Sequence, residues 1–280
     1  MTTVIAKGKE EDIERIVRER YGQIAQQGGL TTGSGCCGPS AADVAGRIGY
    51  SDTDVAAVPD GANLGLGCGA PLAAAALRPG ETVLDLGSGA GFDAFLAARE
   101  VGASGRVIGV DMTPEMLERA RRNAAASGFD NVEFRAGHIE ALPVDDDSVD
   151  VIISNCVINL VPDKTAVYRE VARVLRAGGR AIISDIVLDA PLPPVIADSV
   201  AAFTGCVAGA ALRDDYLRII ADAGLVDVEV VNDSGFGEMA VAMVPADLVQ
   251  QARAAGIDVA AVARTVRSLT IRARKPGAAV

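Results

Sequence analysis

The reactive side chains of this chain are five cysteines, set against a single histidine. Cys36 and Cys37 are adjacent in a segment rich in Gly, Ser and Thr, and Cys68 lies between Gly67 and Gly69. Such composition predicts loops, so these three thiols are not expected in the core. Thiolates act as redox partners and as ligands for soft metals and metalloids. We therefore expect thiol chemistry here rather than histidine catalysis.

The composition limits the class of partner. Half of the 280 residues are hydrophobic, and 26 basic against 37 acidic residues leave a formal net charge of −11. A core is expected, whereas nucleic acid and anionic membrane surfaces are not, because both attract basic proteins. No apolar run is long enough to span a bilayer, and residues 1–10 lack the apolar segment of a secretory signal. We expect a cytoplasmic protein, and a monomer, since no interface pattern is visible.

The elements that must position the thiols alternate between strand and helix from Thr82 onward. Strands are predicted at 82–86, 106–110, 132–135, 149–154, 181–187, 226–231 and 267–274. Helices are predicted at 10–24, 72–77, 92–101, from Thr113 onward, and at 164–175 (ended by Gly178 and Gly179), 214–223 and 246–263. This alternation predicts an α/β, Rossmann-like, doubly wound fold with a mostly parallel seven-stranded sheet.

Three regions follow from this pattern. Residues 1–71 are expected to form an N-terminal helix and cysteine-containing loops that cap the site. Residues 72–280 are expected to form the cofactor-binding domain, with an irregular insertion at about 188–212 after the fifth strand.

A glycine-rich turn joins the first strand to a helix. It runs from Asp85 to Gly91 and reads Asp-Leu-Gly-Ser-Gly-Ala-Gly. Glycines allow a tight turn and a close approach of a ligand to the backbone. Asp111, at the end of the second strand, is placed to accept hydrogen bonds from the hydroxyls of a ribose. The spacing differs from the dinucleotide fingerprint. The alternative is that the glycines serve packing alone.

Two further cysteines lie at the carboxyl ends of predicted strands. Cys156 follows the fourth strand, and Cys206 lies in the insertion after the fifth. Ligands bind at this end of open α/β sheets, so both thiols are expected beside a bound ligand. A zinc site, a redox relay and a soft thiophilic substrate all remain open on this pattern, as does simple packing of buried thiols.

The glycine-rich turn, Asp111-Met112 and the end of the fourth strand resemble the class I S-adenosylmethionine-dependent methyltransferases. The resemblance implies S-adenosylmethionine as the cofactor. It implies Asp85 and Gly87 near the methionine part, Asp111 on the ribose and Met112 against adenine. The full set of implied cofactor contacts is Asp85, Gly87, Ser88, Gly89, Asp111, Met112, His138, Ile139, Glu140 and Asn155. For His138, an exposed loop position is the alternative.

The cysteine motifs resemble those of bacterial arsenite methyltransferases. They are Cys36-Cys37-Gly38, the run from Ala62 to Gly69, the run from Ser154 to Leu160, and the run from Gly205 to Ala210. The resemblance implies that Cys68, Cys156 and Cys206 hold trivalent arsenic. It also implies that Cys36 or Cys37 forms a disulfide relay with Cys68, recharged by thioredoxin or glutathione. Ala70 departs from the Asn that this family often has.

The function expected from this resemblance is methylation of arsenite or arsenic–thiol conjugates, to mono-, di- or trimethylated products, for detoxification. Two alternatives stay open. One is a methyltransferase that acts on another small metabolite, whose activity would survive loss of the thiols. The other is a non-catalytic thiol-based metalloid or redox sensor, which would bind arsenite without consuming the cofactor.

Overall fold

A seven-stranded sheet forms the centre of the structure, a computed structural model that describes residues 7–29 and 40–278. The strands are β1 (Thr82–Leu86), β2 (Arg106–Asp111), β3 (Val132–Ala136), β4 (Val149–Asn155), β5 (Leu175–Leu188), β6 (Val226–Gly235) and β7 (Val266–Arg274). Their order in the sheet is β3-β2-β1-β4-β5-β7-β6. Among the strands of the described residues, β7 alone runs in the opposite direction to the other six. The predicted α/β fold class is confirmed.

Helices cover both faces of this sheet. They are α1 (Lys7–Gln27), α2 (Ala41–Ile48), α3 (Asp52–Ala56), α4 (Leu72–Ala75), α5 (Phe92–Val101), α6 (Pro114–Ser127), α7 (Lys164–Val174), α8 (Pro194–Ala197), α9 (Val200–Thr204), α10 (Arg213–Asp222), α11 (Gly237–Met243), α12 (Ala246–Ala254) and α13 (Val259–Arg264), with a 3-10 turn at Ile158–Leu160. In the described ranges, no helix is both long and apolar enough to cross a membrane.

The core lies on both faces because successive strand residues point to opposite sides. Leu84 packs in the cluster that contains Tyr168 of α7, whereas its neighbour Val83 packs in the cluster that contains Phe95 of α5. Both strand residues are fully buried. A parallel sheet buried on both faces reads as continuous apolar sequence, which is why the strands were recognisable.

The fifth strand begins earlier than the sequence predicts. Gly178 and Gly179 were expected to end the preceding helix, but α7 ends at Val174 and β5 already begins at Leu175. Leu175 pairs with Val149, and the register shifts before Arg180 pairs with Val151. The glycine pair therefore lies in an irregularity of the strand, where Gly178 takes a φ of 78°.

Several short helices were missed. The insertion at 188–212 contains α8 and α9, and the predicted helix at 246–263 is divided into α12 and α13. Before the sheet, α2 and α3 each begin with a capping box, in which a serine and the aspartate three residues later exchange hydrogen bonds. These pairs are Ser40 with Asp43 and Ser51 with Asp54. The spacing is legible in the sequence and would have located both helices.

Candidate active site

A cavity of about 380 Å³ opens at the carboxyl ends of the parallel strands. Gly87 after β1, Asp111 at the end of β2 and Asn155 at the end of β4 all line it. The strand order reverses between β1 and β4, which is where open α/β sheets bind their ligands. The volume falls in the range of small-molecule sites.

The glycine-rich turn combines packing with ligand access. A Cβ on Gly91 would lie 2.7 Å from Phe95, and one on Gly87 would lie 2.4 Å from Val157. Packing therefore accounts for glycine at these two positions. Gly89, in contrast, meets nothing closer than Met116 at 3.8 Å and lines the cavity. Gly87 and Gly89 both line the cavity, so a ligand contact at these two glycines stays a prediction.

Asp111 holds this turn to the start of α6. One carboxylate oxygen accepts a hydrogen bond from Gly89 N at 2.9 Å, and the other accepts from Thr113 N at 2.8 Å. Burial raises the pKa of Asp111, although these backbone hydrogen bonds oppose the rise. Asp111 also lines the cavity, so its carboxylate lies where a ligand can reach it.

Two buried polar atoms that line the cavity lack a protein partner. In the part of the chain that is described, neither Asp85 Oδ2 nor Ser88 Oγ has a hydrogen-bond partner. Burial raises the pKa of Asp85 well above its usual value, and the charges of Asp93 and Asp111 raise it further. Buried polar atoms are nearly always paired, so these two indicate where a ligand supplies donors.

The remaining predicted cofactor contacts form one wall. Met112, His138, Ile139 and Glu140 all line the cavity. Ile139 is buried, and burial raises the pKa of Glu140. The His138 side chain is about half exposed, with Nδ1 4.0 Å from Glu14 of α1. His138 thus lies both at the cavity and at the surface.

Three thiols meet beside this wall. The sulfurs of Cys68 and Cys156 and a carboxylate oxygen of Asp185 all lie within 4.8 Å of one another. Cys206 donates its thiol hydrogen bond to the backbone carbonyl of Cys156 at 3.0 Å. Cys156 and Cys206 line the cavity, whereas Cys68 is buried close to Cys156. Residues 68, 156 and 206, distant in sequence, therefore form one cluster.

Two of these cysteines have strained backbones. Cys156 has a φ of 60° and Cys206 a φ of 63°, in the left-handed region that costs non-glycine residues about 1–2 kcal/mol. Cys156 N donates to Ser184 O at 2.8 Å, which holds that conformation. Strain of this kind concentrates at functional sites, because the surrounding structure must maintain it.

The thiols are protonated at neutral pH. Burial raises the pKa of Cys68. A hydrogen bond with Cys206 acts to lower the pKa of Cys156, but its hydrogen bond with Cys68 and burial leave that pKa well above its usual value. The hydrogen bond with Cys156 and burial raise the pKa of Cys206. A ligand held by these thiolates must therefore displace one proton from each thiol that it binds.

The prediction that Cys68 lies outside the core is wrong. Cys68 is 3% exposed. Gly69 lets its loop approach β5 closely, since a Cβ there would lie 2.8 Å from Ser184. Ser268 of β7 donates to Cys68 O at 2.5 Å. Glycine here indicates close packing rather than an exposed loop. The adjacent Cys36 and Cys37 lie outside the described residues.

Sequence reasoning missed four residues of the site. Tyr21 of α1 lies with its hydroxyl 4.0 Å from Cys206 Sγ, and Tyr50 donates to Asp93 at 2.5 Å. Asp185 lies among the thiols. The sequence did contain a signal for Asp185, because an aspartate within the apolar run of β5 is expected to be buried, and a buried acid requires a partner or a function. Tyr21 falls on an apolar helix stripe and is indistinguishable there from core.

Comparison with known proteins places the chain among methyltransferases. Residues 77–224 match the family model described as a methyltransferase domain. An arsenite methyltransferase of Halobacterium salinarum is 52% identical over 243 residues, which cover 81% of this chain and 61% of that protein. One from Aquipseudomonas alcaligenes is 39% identical, over 78% of this chain and 63% of its own length. The chain thus spans about three fifths of these curated relatives.

A solved structure agrees with them. The crystal structure of an arsenic(III) S-adenosylmethionine methyltransferase from Chlamydomonas reinhardtii matches with a TM-score of 0.61 and 32% identity, over 86% of this chain and 74% of that one. The family model covers more than half of the residues and includes the glycine-rich turn, Asp111 and two of the clustered cysteines. The chain therefore belongs to the family of methyltransferase domains.

Proposed function

We propose that this protein transfers a methyl group from S-adenosylmethionine to trivalent arsenic held by Cys68, Cys156 and Cys206. The observation that carries the proposal is the cluster of these three thiols at the carboxyl end of the sheet, beside a cavity lined by the glycine-rich turn. The proteins named above as arsenite methyltransferases support the choice of substrate.

The cavity fits the proposed cofactor. The Asp111 carboxylate lines the cavity as the proposed acceptor for a ribose, and Gly89 leaves its side of the turn open. The unpartnered Asp85 Oδ2 is a buried acceptor that a cationic amino group would satisfy. S-adenosylmethionine, when bound, supplies an electrophilic methyl group. The residues proposed to hold it are Asp85, Gly87, Ser88, Gly89, Asp111, Met112, His138, Ile139, Glu140 and Asn155.

The thiols do the binding chemistry. Arsenite carries three hydroxyl groups, and each thiol proton leaves with one hydroxyl as water while an arsenic–sulfur bond forms. Three waters therefore leave, and the neutral thiol cluster becomes a neutral tris-thiolate arsenic centre. Its lone pair carries no proton, so methylation there requires no general base. The main contribution of the chain is orientation, which can supply ~7–11 kcal/mol of barrier lowering.

The N-terminal region completes the proposal. Val17 and Tyr21 of α1, with Leu64 and Leu66, line the same cavity, so residues 1–71 act as its cap and 72–280 as the methyltransferase domain.

Methylation formally oxidises arsenic to the pentavalent state, and thiols must then reduce it. We assign that role to Cys37 or Cys36, whose thiol attacks the arsenic-bound sulfur of Cys68. A disulfide bond forms, the thiol proton leaves, and the arsenic–sulfur bond breaks so that its electron pair returns arsenic to the trivalent state. Thioredoxin or glutathione in the cytoplasm then reduces the disulfide. The protein acts as a monomer in this proposal.

The direct experiment is to incubate the reduced protein with arsenite, S-adenosylmethionine and a thiol reductant, and to identify methylated arsenic species by chromatography with elemental detection. The proposal expects methylated arsenic from the wild type and none from Cys156→Ser, with cofactor binding kept in both. Arsenite bound without cofactor consumption would instead indicate a sensor. Full activity in Cys156→Ser, or methylation only of another metabolite, would contradict the thiol site.

A further inference from the structure

We propose that Cys68, Cys156 and Asp185 form a binding site for a divalent d¹⁰ cation, Zn²⁺ or its heavier analogue Cd²⁺. The site shares two thiols with the arsenic site. Its cation would therefore exclude arsenite, and this competition, though not the cation site itself, rests on the function proposed above.

The distances suit such a cation. The three ligand atoms lie within 4.8 Å of one another. In a tetrahedral zinc site, bonds of about 2.3 Å to sulfur and about 2.1 Å to oxygen place ligand atoms roughly 3.6–3.8 Å apart. The cluster therefore needs only a small contraction to close around a cation. Three protein ligands leave a fourth position for water.

Hydrogen bonds from buried neighbours fix the orientation of the Asp185 carboxylate, as is typical of a metal ligand. Its Oδ1 accepts from Asn159 Nδ2 at 2.8 Å and from Ile186 N at 3.0 Å, and its Oδ2 accepts from Tyr216 at 2.9 Å. Tyr168 in turn donates to the hydroxyl of Tyr216. All of these side chains are buried. Hydrogen bonds from neighbouring groups orient the side chains that bind a metal and increase the affinity for it.

The charges also balance. The cation displaces the protons of Cys68 and Cys156, which leave to solvent, and brings two positive charges. Two new thiolate charges offset them, and the Asp185 carboxylate is unchanged. The net charge of the buried cluster therefore stays the same, so binding adds no uncompensated charge to the interior.

Arsenic and the cation would use different third ligands. Trivalent arsenic takes three thiolates, so it needs Cys206 and not Asp185. The cation takes two thiolates and the carboxylate, whereas Cys206 lies outside the group of mutually close ligand atoms. The structure therefore predicts opposite effects from substitutions at Asp185 and Cys206.

The test uses full-length reduced protein carrying Cys36→Ser and Cys37→Ser, so that only the three clustered thiols remain. Cd²⁺ binding is followed by the ultraviolet absorption of cadmium thiolate, against a competing chelator. Arsenite binding is followed by the loss of titratable thiols.

Asp185→Asn should weaken Cd²⁺ binding by more than ~10-fold and change arsenite binding by less than ~3-fold. Cys206→Ser should do the reverse. Asp189→Asn, a carboxylate just beyond β5, is the matched control and should change neither.

Equal Cd²⁺ affinity in the background protein and Asp185→Asn would overturn the cation site. Failure of the background protein to bind arsenite would overturn the proposed function instead, whatever the cadmium result. Should Asp185→Asn not fold, X-ray absorption at the zinc edge of the Zn²⁺-loaded background protein decides the question. Two sulfurs and lighter ligands support the site, and three sulfurs contradict it.

Discussion

The side-chain carbonyl of Asn155 accepts a hydrogen bond from the backbone N–H of Cys68 at 3.0 Å, across 87 residues of sequence. The same oxygen accepts from Gly69 N at 3.3 Å, and the amide nitrogen donates to Gly69 O at 2.7 Å. Asn155 therefore fixes the loop that carries the buried thiol. Asn155 also lines the cavity, so the cofactor contact that the sequence predicts there stays a prediction beside this role in the loop.

Asn155→Ala should weaken arsenite binding more than cofactor binding. The substitution leaves Cys68 N and Gly69 N without their acceptor, at about 1–3 kcal/mol for each buried group. We expect arsenite affinity to fall by ~10-fold or more, and affinity for S-adenosylhomocysteine, measured by calorimetry, to change by less than ~3-fold. Asn131→Ala removes a comparable partly buried amide far from the site and controls for general destabilisation. A larger loss for S-adenosylhomocysteine than for arsenite would contradict this prediction and make cofactor binding the main role of Asn155.

Asp111→Ala should weaken cofactor binding. The change removes the proposed ribose acceptor and also the carboxylate that holds Gly89 and Thr113 in place. We expect the Kd for S-adenosylhomocysteine to rise by ~10-fold or more in calorimetry. Asp130→Ala, an exposed aspartate before β3, should leave it unchanged. An unaltered Kd in Asp111→Ala would exclude the ribose assignment.

Asp93→Asn should alter how folding stability depends on pH. Burial raises the pKa of Asp93 to about 6, although hydrogen bonds from Tyr50 and Asn155 oppose the rise. An unfolded aspartate has a pKa of about 3.9. The native state therefore keeps a proton that the unfolded chain releases, and this contribution is lost as pH rises through the folded pKa. Between pH 4 and 6 the wild type should lose about 2–3 kcal/mol relative to the variant, and little more above pH 6.

Chemical denaturation of both proteins at several pH values measures this difference. The comparison concerns only the change with pH, because the substitution also alters hydrogen bonds and shifts absolute stability. Parallel curves for the two proteins between pH 4 and 6 would show that Asp93 is ionised in the native state.

Much of the fold was predictable because strands buried on both faces leave long apolar runs. The bounds of β1 and α5 follow the sequence pattern residue for residue. The start of β5 did not, since strand pairing between Leu175 and Val149 outweighs the local preference of Gly178 for a turn. Tertiary pairing of this kind is absent from any local window of sequence.

The residues of the site also differ in how far the sequence predicts their positions. Cys156 and Cys206 were located at the carboxyl ends of strands because topology alone determines that edge. The burial of Cys68 depends on its contacts with Ser184 and Ser268, which lie more than 100 residues away in sequence. Asp185 was missed because its importance arises only where Cys68 and Cys156 meet it in space.

The double variant Cys36→Ser, Cys37→Ser should separate the first turnover from later ones. If either thiol relays electrons to Cys68, arsenic methylation in a single turnover stays within ~3-fold of wild type, but repeated turnover with thioredoxin stops. Rapid-quench measurement of methylated arsenic gives the first turnover, and steady-state assays give the rest. The single variants then show which thiol acts. Several turnovers by the double variant with thioredoxin would remove the relay.

The most direct measurement of the central claim is X-ray absorption at the arsenic edge, on arsenite bound to the protein that retains only Cys68, Cys156 and Cys206. The account predicts three sulfur neighbours and no oxygen around arsenic. It also predicts that Cys156→Ser reduces the number of sulfurs to two or fewer. Arsenic that retains its oxygen neighbours in the protein with all three thiols would contradict the proposed site.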